Sequence, residues 1–182
     1  MAQNATIFKA DLQISDMDRH YYANHSLTLA RHPSETDERL MVRLLAFVLN
    51  ASAELQFGKG LSSDDEPDLW QKDLTGAVEK WIETGQPDEK RLRRACGMAQ
   101  EVWVYAYGGN TADMWWEQNR RALDKLDKVS VIRIPAASSQ ALAALAQRTM
   151  QLQVTVQDGE VWLSNDEASL TIVPQTLKAA RI

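Results

Sequence analysis

A single cysteine, Cys96, in 182 residues leaves nothing to form an internal disulfide or a cysteine-based zinc cage, and it fits a reducing compartment. No stretch approaches the roughly 18 consecutive apolar residues of a membrane-spanning helix. The first ten residues also lack a basic patch followed by an apolar run, so a cytoplasmic chain without membrane association is expected. Basic residues are in deficit, 20 Lys and Arg against 25 Asp and Glu for a net charge of −5. That balance argues against charge-driven binding of nucleic acid over the whole surface and leaves room for a local basic patch. Glycine-rich phosphate loops of the P-loop or GxGxxG kind are missing, as is the HExxH zinc spacing, which removes the nucleotide and zinc chemistries they carry. Repeats and low-complexity tracts are missing as well. What remains is an ordinary globular composition, 45% hydrophobic and 25% charged, long enough for one domain with a proper core.

The pattern of the chain is mixed α/β. Thr6 to Ile14 alternates Phe8, Ala10, Leu12 and Ile14 with polar residues, and Tyr21 to Leu29 alternates again after a turn-like Ser15 to Asp18, which predicts a β-hairpin. Pro33-Ser34 with Asp37 three residues on predicts a helix capped by Ser34 and running to about Asn50. Met41, Val42, Leu44, Leu45 and Val48 form its apolar stripe, Glu35, Arg39 and Arg43 fall at i+4 steps on its outer face, and Glu38 stands at the stripe's edge. Short strands are expected in 54–61, 69–71 and 78–83, a helix after Pro87, a strand over 102–107, a helix over 111–126 and a strand over 129–134. A helix from Ser138 to Arg148 precedes a second hairpin, with Asp158-Gly159 as its turn, and a last strand at 170–173.

Two charged clusters are candidates for chemistry. Asp64, Asp65, Glu66 and Asp68, followed by Glu79 and Glu83, supply the oxygen ligands that hard divalent cations need. In a strand, Glu79, Trp81 and Glu83 share one face while Val78, Lys80 and Ile82 share the other. Pro67-Asp68, then Glu79 eleven residues on, with Glu38 on a preceding helix, is the layout of a strand-hairpin metal site; the same acids also read as a solvated loop. Lys90, Arg91, Arg93 and Arg94 open the helix after Pro87 and suit a phosphate backbone, or simply a solvated helix face. His25 and Cys96 fall on apolar faces and read as core, and at least one of Trp115 and Trp116 must face inward.

Several motifs together resemble the YaeQ family of bacterial proteins: His32-Pro33-Ser34-Glu35-Thr36 with Glu38-Arg39, Asp64-Asp65-Glu66-Pro67, Trp81-Ile82-Glu83 with Gly85 and Pro87-Asp88-Glu89, Trp115-Trp116 with Gln118-Asn119, and Gln157-Asp158-Gly159 with Trp162-Leu163-Ser164. The resemblance spans the whole chain. It implies a fold similar to the PD-(D/E)XK nuclease superfamily, a mixed sheet flanked by helices. The core would cover about 34–134 of a single 1–182 domain, with extra strands at 5–31 and 149–174. It further implies that Glu38, Asp68 and Glu79 hold Mg²⁺ or Mn²⁺, with Glu66 and Glu83 as additional ligands and Lys90, Arg91 or Arg94 on the phosphate. The departure is at the lysine: Trp81 stands two residues after Glu79, and Lys80 is the one lysine of that strand to count among the catalytic candidates. A metal-dependent nuclease acting on nucleic acid as a monomer is the leading expectation. The alternative is a non-catalytic interaction protein on the same scaffold, connected with transcription.

Overall fold

The computed structural model describes residues 4–181; residues 1–3 and 182, which the one-domain expectation includes, lie outside the described residues. In chain order the elements are β1 (Thr6–Asp16), β2 (Tyr21–Arg31), α1 (Asp37–Asn50), β3 (Leu55–Phe57), β4 (Leu69–Lys72), β5 (Val78–Thr84) and α2 (Glu89–Met98). Then follow β6 (Ala99–Ala106), α3 (Asn110–Asp124), β7 (Val129–Arg133), α4 (Ala136–Ala144), β8 (Thr149–Gln157), β9 (Glu160–Ser164), β10 (Ser169–Ile172) and β11 (Gln175–Lys178). The α/β mixed class is as expected, with two mixed sheets instead of one. The chain divides into two compact units, one built from the chain up to Ala51 with Ala137–Pro174, the other from Ser52–Ala136 with the segment from Gln175 on.

In the first unit the terminal hairpins join into one sheet of order β10-β9-β8-β1-β2. β1 and β8 run parallel in a register that sets Ala10 beside Met150, Leu12 beside Leu152 and Ile14 beside Val154, all buried. Alternation makes this possible, because matching two period-2 patterns in register puts both apolar sets on one face. The turn at Asp158-Gly159 has positive φ at both residues, the type I′ geometry that suits a two-residue hairpin loop. His25 is on the inner face as expected, with its ring edge-on to Phe47 at 5.1 Å.

α1 departs from the expectation in two ways. Its cap is Thr36, whose Oγ1 accepts the Arg39 N–H at 3.1 Å, while Ser34 bonds the His32 ring instead. It also has no outer face over most of its length: every residue from Leu40 to Val48 is buried, Arg43 among them. Glu35 is buried too, and pairs with Arg39 at 2.7 Å and with Arg43 at 2.8 Å. The i+4 row of charges is therefore an internal ion cluster, because a helix enclosed on all sides must satisfy a guanidinium within the fold.

The second unit carries the sheet β11-β7-β6-β5-β4-β3. β5, β6 and β7 are parallel and joined by α2 and α3, while β3, β4 and β5 form an antiparallel meander. Leu92 and Ala95 of α2 and Ala112, Trp115 and Leu123 of α3 cover one sheet face against Trp81, Val102, Val104, Ala106, Val129 and Val131. Cys96 packs at the margin of this cluster. β11 has no counterpart in the sequence reading. Among the described residues no helix is long and apolar enough to cross a membrane.

Candidate functional site

The β4–β5 hairpin decides which acids meet. Asp73 shapes its turn, with Oδ1 accepting from the N–H groups of Thr75 and Ala77. The turn sets Lys72 beside Val78, and a β-bulge at Glu79 then shifts the register, so that Gln71 pairs with Lys80, Trp70 with Trp81 and Leu69 with Ile82. One step further brings Asp68 opposite Glu83. Both are buried, at 1% and 4% exposure. Asp68 Oδ2 accepts from the Thr84 backbone N–H at 2.8 Å and from its hydroxyl at 2.9 Å. Glu83 Oε1 accepts from the Trp81 indole at 2.8 Å and from Arg91 Nε at 2.6 Å. Burial first and the nearby Asp68 charge second push the Glu83 carboxyl up to about 7, against the pull of Arg91 and the Trp81 hydrogen bond.

Gly60 lies against Asp68. Its φ is +49°, and a Cβ built on it would lie 2.4 Å from Asp68 Oδ1. The carboxylate cannot swing aside cheaply, since Thr84 holds its other oxygen. Gly60→Ala is therefore expected to cost about 1–3 kcal/mol, from left-handed strain and from displacing Asp68. Urea unfolding checks this; a cost within the scatter of surface substitutions would mean the loop gives way freely.

Glu79 lies elsewhere on the hairpin. It is the extra residue of the β-bulge, left without a partner in β4 and four residues before Glu83 in β5, with Trp81 between them in the chain. Trp81 itself is buried and packs edge-on to Trp70 at 6.1 Å, so the expected lysine slot is filled by core. Lys80 is on the opposite face of β5. Glu66 turns its carboxylate to Lys59, accepting the backbone N–H at 3.3 Å with Nζ at 3.8 Å. Glu38 belongs to the first unit, where it accepts from Ser139 at 2.9 Å. Of the basic residues, Lys90 is exposed, Arg94 reaches Asp65 at 2.6 Å, and Arg91 spans Glu83 and two loop carbonyls. Among the described residues no group of three or more His, Cys, Asp or Glu side chains is arranged as a metal cage. The structure thus brings together Asp68, Glu83 and Arg91, and adds Thr84, Trp81 and Gly60, which the sequence reading did not single out as site residues.

The YaeQ protein family model matches residues 1–174. The chain belongs to the YaeQ family. It is 44% identical over 172 residues to the uncharacterized protein YaeQ of Escherichia coli (strain K12), covering 94% of this chain and 95% of that protein. To its Salmonella typhi counterpart it is 43% identical over the same length. The crystal structure of YaeQ from Xanthomonas axonopodis pv. citri superposes with a TM-score of 0.93 at 54% identity, over 96% of this chain and 99% of that one. That of the Pseudomonas syringae protein gives 0.93 at 36% identity, over 98% of both chains. The two-sheet architecture described above is therefore that of solved YaeQ structures.

Proposed function

We propose that this YaeQ chain is a divalent-metal-dependent phosphodiesterase of the PD-(D/E)XK nuclease type that acts on nucleic acid, with Asp68 and Glu83 as the acids that hold Mg²⁺ or Mn²⁺. The observation that carries the reading is the pair of facing, buried carboxyls Asp68 and Glu83; burial first and the Asp68 charge second raise the Glu83 carboxyl to about 7. The donor set fits the ion: Mg²⁺ takes hard oxygens and is commonly held by one or two carboxylates, with water and substrate phosphate completing its shell. The pair also sits where α/β sheets bind ligands, at the carboxyl end of the parallel strand β5. Such an ion lowers the pKa of a bound water and offsets charge gathering on the phosphate. The chain's own residues position the acids: Thr84 fixes Asp68 through two donors, and Trp81 and Arg91 fix Glu83. Lys90, Arg91 and Arg94 on α2 are the cations that would meet a phosphate backbone, Lys90 exposed and the two arginines engaged by the Asp64–Glu66 loop.

One observation favours the second reading, a non-catalytic interaction protein: the position two residues after Glu83 is Gly85, and that after Glu79 is the buried Trp81, so neither acid is followed by a motif lysine.

Calorimetric titration of Mn²⁺ separates the two. Saturable binding of roughly one ion per chain is expected, weakened about tenfold or more in Asp68→Asn and Glu83→Gln and unchanged in Glu79→Gln. Absence of binding by the wild type, or binding indifferent to both Asp68 and Glu83, overturns the reading. Where binding holds, Mg²⁺-dependent cleavage of DNA or RNA that fails in the same two variants decides for catalysis over interaction.

A further inference from the structure

The loop between β3 and β4 approaches α2 in an unusual manner. Three successive residues present three acceptors to two arginines one helical turn apart. Asp64 O accepts from Arg91 Nη1 at 3.2 Å and Glu66 O from Arg91 Nη2 at 2.9 Å. The Asp65 carboxylate between them accepts from Arg94 Nη2 at 2.6 Å. With Nε on Glu83 at 2.6 Å, every guanidinium nitrogen of Arg91 already has an acceptor. The ends of the loop are tied down: Gly60 N–H donates to Pro67 O at 3.1 Å, and Ser63 N–H to Gly60 O at 3.1 Å. Between them Asp64 and Asp65 are exposed, held chiefly by the arginines they face. Oxygen acceptors on successive residues, one of them fully charged, engage these guanidinium groups through the same donors that phosphodiester oxygens use.

We propose that Asp64–Glu66 is a built-in competitor of a polynucleotide: the loop occupies Arg91 and Arg94 as a nucleic-acid backbone would, and must leave them before one seats against α2. The proposal rests on the reading that this face meets a phosphodiester. The backbone carbonyls supply a neutral part of the hold and Asp65 the charged part, so the cover is weak enough to be displaced. Because it is tethered, it competes at a fixed effective concentration whatever the protein concentration.

The test uses the full chain in EDTA at low salt, so that it is independent of metal binding. Fluorescein-labelled single-stranded DNA and RNA of about 20 nucleotides serve as probes, read by fluorescence anisotropy. The variant Asp64→Asn/Asp65→Asn is compared with Asp166→Asn/Glu167→Gln, which removes the same charge from the exposed stretch before β10. We expect the loop variant to bind about fivefold more tightly than its charge-matched control, the ceiling set by one exposed ion pair. Adding Arg94→Gln should cancel the gain. In the wild type, saturating oligonucleotide should also speed cleavage by Glu-C protease after Asp64 or Asp65, located by mass spectrometry. Equal affinity of the two variants, or a loop further protected by the oligonucleotide, overturns the proposal and leaves the Mn²⁺ reading standing. No binding by any of the proteins overturns both this proposal and the nucleic-acid part of that reading, while the Mn²⁺ titration still reports on Asp68 and Glu83. Preference between the DNA and RNA arms identifies which polymer the face accepts.

Discussion

Glu35→Ala is expected to destabilise the first unit by about 3–5 kcal/mol, the range for breaking a buried ion pair from one side. The glutamate side chain is 1% exposed and receives Arg43 through both oxygens, Nε at 2.9 Å on Oε2 and Nη2 at 2.8 Å on Oε1, with Arg39 Nη1 on Oε2 at 2.7 Å. Arg43 itself is 7% exposed and further ties the helix to the sheet through the Ala30 carbonyl of β2 at 3.1 Å. Alanine at 35 takes from that buried guanidinium the carboxylate that accepts from two of its nitrogens. Against a typical total of about 5–15 kcal/mol, this is a large fraction of the fold's stability. Urea midpoints and thermal melts measure it. The companion experiment is Glu35→Met with Arg43→Leu, which removes both charges; it should recover most of the loss, since an apolar pair of similar volume avoids the desolvation cost. A loss below about 1 kcal/mol for Glu35→Ala would mean the cluster behaves as a surface ion pair.

That cluster shows where sequence patterning stops being informative. Residues 35, 39 and 43 at i+4 steps do share a helix face, but spacing fixes only which residues are together and not whether that face meets water. The strands of the two hairpins were legible from alternation, as was the turn at Asp158-Gly159. Their union through parallel β1 and β8 was not, because alternation says which face is buried and leaves the neighbour unnamed. β11 was missed for lack of signal: of Gln175 to Lys178 only Leu177 is apolar. At the candidate site Asp68 was legible from Pro67-Asp68. The choice between Glu79 and Glu83 as its facing acid depends on a β-bulge. Motif spacing counted forward from Asp68 reaches Glu79, but the register set by the turn, Lys72 beside Val78, slips by one residue at Glu79, and that slip sets Glu83 opposite Asp68. Arg91 reads in sequence as one of four basic residues, and its role as a clamp on Glu83 and the acidic loop exists only in three dimensions.

Glu83 makes the sharpest pH prediction. Its carboxyl titrates near 7 in the folded protein against 4.5 ordinarily, chiefly because it is buried and secondarily because Asp68 is beside it. Between those two values the unfolded chain has lost the proton that the folded chain keeps, so the folded state binds more protons and its stability falls as pH rises through the window. Below 4.5 and above about 7 this group contributes no slope. The separation corresponds to about 3 kcal/mol. Glu83→Gln keeps a carbonyl oxygen for Trp81 and Arg91 but has no proton to lose. The stability of the variant relative to wild type is therefore expected to rise by about 3 kcal/mol from pH 4.5 to pH 8, with the other titrating groups cancelling in the difference. Urea unfolding of both proteins at several pH values measures it, and a difference that stays constant across the window would show that the carboxylate is solvated or fully matched by Arg91. Asp68→Asn separates the two causes. Removing the neighbouring charge takes away the second of them, so the slope between 4.5 and 7 should shrink but persist, because the larger cause, burial among Trp81, Thr84 and the α2 face, is still in place. If the slope vanished instead, the repulsion between the two acids would be the dominant cause, and the pair would be held together against a charge that only a bound cation or Arg91 relieves.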